Sequence, residues 1–126
     1  MHSAAKAYQT VATRTSSPRD LEADLLLRAA SRLQSVNDKG ENEKEALSDA
    51  LLYNRKLWQI FLVSVTGEDS KLPPELRQNV ANLGLFVMSQ TMNILADPKP
   101  GRLGALININ RELAAGLRGI TQAATR

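Results

Sequence analysis

The stretch "LGALININRELAAGLRGI", residues 103–120, decides the fold class because it fits two secondary structures. Its short alternation of apolar residues and asparagines is typical of a strand, but a row with helical spacing extends over more residues. That row is Leu103, Ile107, Asn110, Ala114, Leu117 and Ile120. We therefore predict a helix here, with Gly116 and Gly119 loosening its end.

Three further segments carry helix start and stop signals. Ser17 as N-cap, followed by proline at the first helical position, predicts a first helix over residues 18–36. Asn42 is the predicted cap of a second helix, which Gly67 closes. Paired prolines can begin a helix but cannot lie inside one, so they predict a third helix over residues 74–95.

The apolar residues of these three segments recur at intervals of three and four. Short polar turns separate the four segments, and this pattern predicts an all-α fold, a compact antiparallel bundle of four main helices in one domain over residues 1–126. Two alternatives stay open for the start of the chain: a short extra helix over residues 3–14, or a mobile segment over residues 1–15. Residues 119–126 are assigned to a tail.

The composition argues against most kinds of chemistry. There is no cysteine, which removes thiolate metal sites and cysteine nucleophiles, and the one histidine is His2, near the chain start. No catalytic or phosphate-binding constellation is present, so we expect a protein that is not an enzyme and has no metal or cofactor. The net charge of +3 permits nucleic-acid binding without indicating it.

No apolar run approaches the ~20 residues of a membrane-spanning helix, and the first residues lack the apolar block of a secretory signal. These residues are acid-free and rich in Ser and Thr, a composition shared by organelle transit peptides and ordinary N-termini. We expect a cytoplasmic protein without membrane insertion.

The second and third predicted helices carry more apolar residues than one core-facing row requires. One interpretation is that neighbouring helices cover the surplus, and the other is an apolar groove for a helical partner. The candidate partner-binding residues are Leu52, Trp58, Ile60, Leu85, Phe86, Met88 and Met92.

Asn54 and Asn110 each fall on an apolar row and each precedes an arginine, Arg55 or Arg111. A buried amide without a partner costs about 1–3 kcal/mol, so we predict that the two asparagines pair across the helices as a polar clasp. The arginines are expected at the margin of the seam. A clasp that faces a partner is the alternative.

Four blocks of the chain resemble, in order, the flagellar biosynthesis regulator family FlaF. They are "SPRDLEADLLLRAASRL", "ALLYNRKLWQIFLVSV", "LPPELRQNVANLGLFVMSQT" and "LININRELAAGL", and the resemblance covers about residues 7 to 118. One departure is Phe86, near where relatives have a tryptophan, which keeps the bulk but loses an indole donor. The family signature falls on Tyr8, Pro18, Arg19, Glu22, Asn54, Arg55, Leu57, Trp58, Leu72, Pro73, Leu76, Arg77, Leu83, Ile109, Asn110, Arg111, Gly116 and Leu117.

The resemblance implies a small cytoplasmic protein, not an enzyme, that is needed for flagellin production and export and acts alongside the regulator FlbT. Our leading hypothesis is a secretion chaperone that binds the helical terminal region of flagellin and reports its status to FlbT. One alternative is direct binding to flagellin mRNA, and another is an adaptor that binds FlbT only. The apolar surplus is also compatible with a homo-oligomer.

Overall fold

The computed structural model describes the backbone of residues 18–39, 44–99 and 101–124. It describes the side chains of these residues up to position 119. Over these ranges the chain forms four helices and no strand: α1 Pro18–Lys39, α2 Lys44–Thr66, α3 Pro74–Ala96 and α4 Gly104–Ala124. The predicted all-α bundle is confirmed, and the ambiguous stretch is a helix. Both alternatives for residues 1–15, and the predicted caps Ser17 and Asn42, lie outside the described residues.

The helix ends follow the local sequence signals. Pro74 begins α3, as expected for a residue whose missing N–H would be unsatisfied in the first turn. The Gly67 N–H donates to the Val63 carbonyl at 3.2 Å and closes α2. The predicted loosening near Gly116 does not end α4, which continues to Ala124.

Neighbouring helices run antiparallel, as contacts at successive levels show. Between α1 and α2, Glu22 lies beside Ser64, while ten residues later the Arg32 guanidinium lies 4.8 Å from the centre of the Tyr53 ring. Residue numbers increase along α1 where they decrease along α2, so the two helices run in opposite directions. An ion pair from Arg118 to Asp24, near the start of α1, joins the last helix to the first.

The four helices are packed unevenly. α1 packs most extensively against α4, and α2 packs against both α1 and α3, whereas α3 and α4 form the least closely packed neighbouring pair. α2 and α4 are diagonal to each other, and no α-carbon of one comes within 8 Å of the other over their described lengths. Any contact between α2 and α4 must therefore be made by side chains that reach across the core.

Leucine, alanine and valine supply most of the core, and Trp58 is the largest side chain that is fully buried. Its indole packs edge-to-face on Phe61, with ring centroids 5.5 Å apart and planes at 87°. Aromatic pairs in this arrangement contribute about 0.5–1.5 kcal/mol beyond the burial of their area. The two rings therefore fix the centre of α2 within the core.

Gly84 allows α3 to approach α2 closely. A β-carbon at this position would meet the side chain of Leu62 at 2.6–3.1 Å, whereas one at Gly116, on the exposed face of α4, would meet nothing within 4 Å. We expect Gly116→Ala to raise the free energy of unfolding by about 0.5–1 kcal/mol through helix propensity. Gly84→Val should lower it by about 1–3 kcal/mol through overpacking.

Urea denaturation, monitored by circular dichroism, measures the free energy of unfolding of both glycine variants. Gly84→Ala should give an intermediate free energy of unfolding, because its gain in helix propensity is offset by the steric contact between the new β-carbon and Leu62. Equal stabilisation by alanine at positions 84 and 116 would contradict the close approach of α2 and α3.

Candidate functional site

The polar clasp lies in the core between the diagonal helices α2 and α4. Asn110 Nδ2 donates to Asn54 Oδ1 at 2.7 Å and to the Leu26 carbonyl of α1 at 3.3 Å. The Trp58 indole Nε1 donates to Asn110 Oδ1 at 2.9 Å. Asn110 therefore connects three helices through one amide, and the expected pairing of Asn54 with Asn110 is present in the structure.

The clasp is unequal between its two asparagines. Both side chains are fully buried. Asn110 uses its oxygen once and its amide nitrogen twice, while Asn54 Nδ2 is buried without a hydrogen-bond partner in the structure. Since an unsatisfied buried donor carries a desolvation cost, Asn110 is the residue on which the clasp depends.

Trp58 must be corrected as a partner-binding residue. Its side chain is fully buried, and its indole N–H is already bonded to Asn110, so it presents neither area nor a donor to a partner. It lies on the same helical row as Asn54, which turns it inward. Trp58 is a core residue that holds the clasp.

The two arginines that follow the asparagines lie at the margin, as expected. Arg55 is half-buried and Arg111 is exposed. Neither forms an ion pair with another described residue. Arg55 and Arg111 are thus separate from the internal hydrogen bonds of Asn54 and Asn110.

Exposed apolar side chains of α2 and α3 meet on one side of the bundle. A helix advances ~100° per residue, so Leu52 and Val63 lie opposite the Asn54 row, on the outer side of α2. The same count places Leu85 and Met92 on the outer side of α3, turned toward α2. We call this surface the α2–α3 face, and its apolar members are Leu52 at 44% exposure, Val63 at 74%, Leu85 at 72%, Met92 at 54% and the half-buried Met88.

The remaining candidates lie elsewhere. Phe86, 42% exposed, lies on the side of α3 that is turned toward α4, and Ile60 lines the seam between α2 and α1. The seven candidates therefore do not form one surface: four share the α2–α3 face, two lie on other seams and Trp58 is internal. Val63 also lies off the core row of α2 and belongs to the α2–α3 face, although it was not among the seven candidates.

A buried carboxylate occupies the seam between α1 and α2. Glu22 is 4% exposed, and its Oε1 lies 2.7 Å from Arg19 Nη1, an ion pair without hydrogen-bond alignment. Burial raises the pKa of Glu22 above its ordinary value of 4.5, against the opposing effects of the Arg19 charge and a hydrogen bond from Ser64. The carboxylate borders a cleft of about 30 Å³, room for roughly one water molecule. Other residues lining the cleft are Leu25, Leu26, Leu57, Ile60 and Phe61.

Glu22 gives the fold a pH dependence of defined sign. Because its pKa is higher in the folded than in the unfolded state, the folded state binds more protons between the two values. Its contribution to the free energy of unfolding should therefore fall as pH rises from 4.5 through the folded-state pKa. Glu22→Gln removes the titrating group, so we expect this decline to be absent from the variant. The measurement is the free energy of unfolding of parent and variant at several pH values, and the difference between them should change with pH over this range. A difference that does not change with pH would contradict the raised pKa.

No group of three His, Asp or Glu side chains that could hold a metal ion occurs among the described residues. Within the same ranges no helix is both long and apolar enough to cross a membrane.

Together these features define a class of protein: a small all-α bundle with a polar clasp in its core and an apolar face on its α2–α3 side. A family model described as flagellar protein FlaF matches residues 4–117 of the 126 in the chain. The chain therefore belongs to the FlaF family of flagellar proteins. No curated protein and no solved structure matches it at a significant level.

Proposed function

We propose that this flagellar protein binds the helical terminal region of flagellin through its α2–α3 face and acts as a secretion chaperone. The observation that carries the proposal is the side-by-side exposure of apolar residues from two adjacent helices, among them Leu85 and Val63. Large apolar side chains that are exposed together, unlike scattered ones, mark binding surfaces.

The shape of the face suits a helical partner. Two antiparallel helices form a shallow groove between them, and an amphipathic helix can lay its apolar side into such a groove. Met88 and Met92 add flexible, polarizable side chains that adapt to an irregular partner. Binding would cover apolar flagellin heptads before export and would leave the core and its clasp unchanged.

Isothermal titration calorimetry with purified flagellin tests the proposal. We expect binding to intact flagellin, no binding to flagellin that lacks its terminal helices, and at least about a tenfold loss of affinity for Leu85→Asp, since a buried unpaired charge is costly. Phe86→Asp is the matched control, because it places the same charge on the same helix outside the α2–α3 face. Circular dichroism verifies that both variants are folded.

Absence of heat with intact flagellin, confirmed by a pull-down, would reject the chaperone role. Equal losses for Leu85→Asp and Phe86→Asp would reject the α2–α3 face as the site.

FlbT is the second proposed partner, to which the protein would report whether flagellin is bound. Pull-down of FlbT with the same two variants, in the presence and absence of flagellin, tests this role. Retention of FlbT without any flagellin binding would favour the adaptor alternative. A mobility shift with flagellin mRNA that weakens steeply with salt would favour direct RNA binding instead.

A further inference from the structure

Two arginines lie at different levels along the α2–α3 face. Arg55 is half-buried at the α3 side of α2, about 100° from the Asn54 row and beside the outer position of Leu52. Arg77 of α3 lines an open hollow of about 320 Å³ where α2 ends and α3 begins, together with Thr66 and Gln78. On α2, Val63 lies between the levels of these two cations, whereas Leu52 lies about one turn beyond Arg55.

The two guanidinium groups have no carboxylate partner within the described part of the chain. The ion pairs there join Arg19 to Glu22, Lys99 to Asp97, and Arg118 to Asp24. Arg77 also has a buried Nε without an acceptor. Half-buried arginines without partners at the edge of an apolar surface are suited to receive acidic groups from a bound molecule, because guanidinium binds carboxylate in a fixed two-pronged geometry.

The spacing of the two cations sets the spacing of the groups that they could bind. Arg55 precedes Thr66, which shares the hollow with Arg77, by eleven residues of α2. Eleven residues rise about 16 Å along a helix and return to within about 20° of the starting direction. A helix lying along the groove would therefore present two side chains eleven positions apart to the two arginines from one face.

We infer that the α2–α3 face selects amphipathic helices in which two carboxylates, about three turns apart, flank an apolar stripe. This inference rests on the proposed function, since it specifies the chemistry of the helical segment that the face takes. The apolar stripe supplies area, and the two acidic groups set position along the groove and select against basic helices.

Fluorescence anisotropy with three dye-labelled helical peptides tests the inference on the full chain. All three carry the same apolar stripe: the first has Glu eleven positions apart beside it, the second has both Glu moved to the opposite side, and the third has Lys at the first peptide's positions. We expect the first to bind about tenfold more tightly than the second and about a hundredfold more tightly than the third. The preference should shrink as salt increases.

The double variant Arg55→Gln with Arg77→Gln should bind all three peptides with nearly equal affinity. Arg28→Gln, which removes an exposed charge on α1 outside the α2–α3 face, should keep the full preference. The comparison among peptides uses the unaltered protein, so it stands even where an arginine substitution affects folding.

Equal binding of the three peptides by the unaltered protein would overturn the charge selection, as would a preference that survives in a folded double variant. If intact flagellin binds through its terminal helices while the peptides show no preference, only this inference fails. If neither flagellin nor any peptide binds, the proposed function fails with it.

Discussion

Trp58→Ala should lower the free energy of unfolding by about 3–5 kcal/mol, the cost of truncating a large aromatic residue in a packed core. The indole is the largest fully buried side chain of the bundle, and its removal also takes the donor from Asn110 Oδ1 and the ring from Phe61. Domains of this size have a total stability of about 5–15 kcal/mol, so the variant should be close to unfolding at 25 °C. Urea denaturation should show a midpoint lowered by about 2 M.

Trp58→Phe separates bulk from hydrogen bonding. It retains most of the ring but leaves Asn110 Oδ1 without its donor, so a cost of about 1–3 kcal/mol is expected. Lys56→Ala, at an exposed position of the same helix, controls for changes in helix propensity. A Trp58→Ala variant as stable as the Lys56→Ala control would show that the indole is not buried in solution.

Asn110→Leu should cost about 3 kcal/mol although leucine is apolar and of similar size. The substitution removes the acceptor of the Trp58 N–H and the donor to Asn54 Oδ1, leaving both of these groups buried and unsatisfied. It also removes the bond to the Leu26 carbonyl. Thermal and urea unfolding of the variant measure this loss in the free energy of unfolding.

Asn54→Leu is the matched comparison and should cost no more than about 1 kcal/mol. It breaks one hydrogen bond but also removes the unpartnered Asn54 Nδ2, and Asn110 keeps its bonds to Trp58 and Leu26. The double variant measures the coupling between the two sites. Equal losses for the two single variants would contradict the unequal roles of the asparagines.

Most of the fold follows from local signals in the sequence. The rows that contain Leu51 and Ile107 have helical spacing over several turns, and prolines and Gly67 mark the boundaries. The same spacing placed Asn54 and Asn110 on buried faces, from which their pairing followed because buried amides require partners. The bonds from Trp58 and to Leu26 depend on how three helices are arranged around the core, which spacing along one helix does not specify.

The candidate surface was less predictable than the core. Periodicity identifies residues that lie off a core row, but it does not specify which neighbour covers each side of a helix. Ile60, Phe86 and Leu85 all lie off their rows, yet only Leu85 reaches the α2–α3 face, because α1 and α4 adjoin the other two. The sequence does not place Arg77 beside an apolar surface, because that position depends on the neighbouring end of α2.

The extensive packing of α1 against α4 has a consequence for synthesis of the chain. A ribosome that adds about 5–20 residues per second needs roughly 4–16 s to move from Lys39, the last residue of α1, to Leu117 in α4. During that interval α2 and α3 can pair, because they are neighbours in sequence, while part of the apolar side of α1 has no cover. A chain truncated before α4 would lack this cover permanently, however well its α2–α3 hairpin forms.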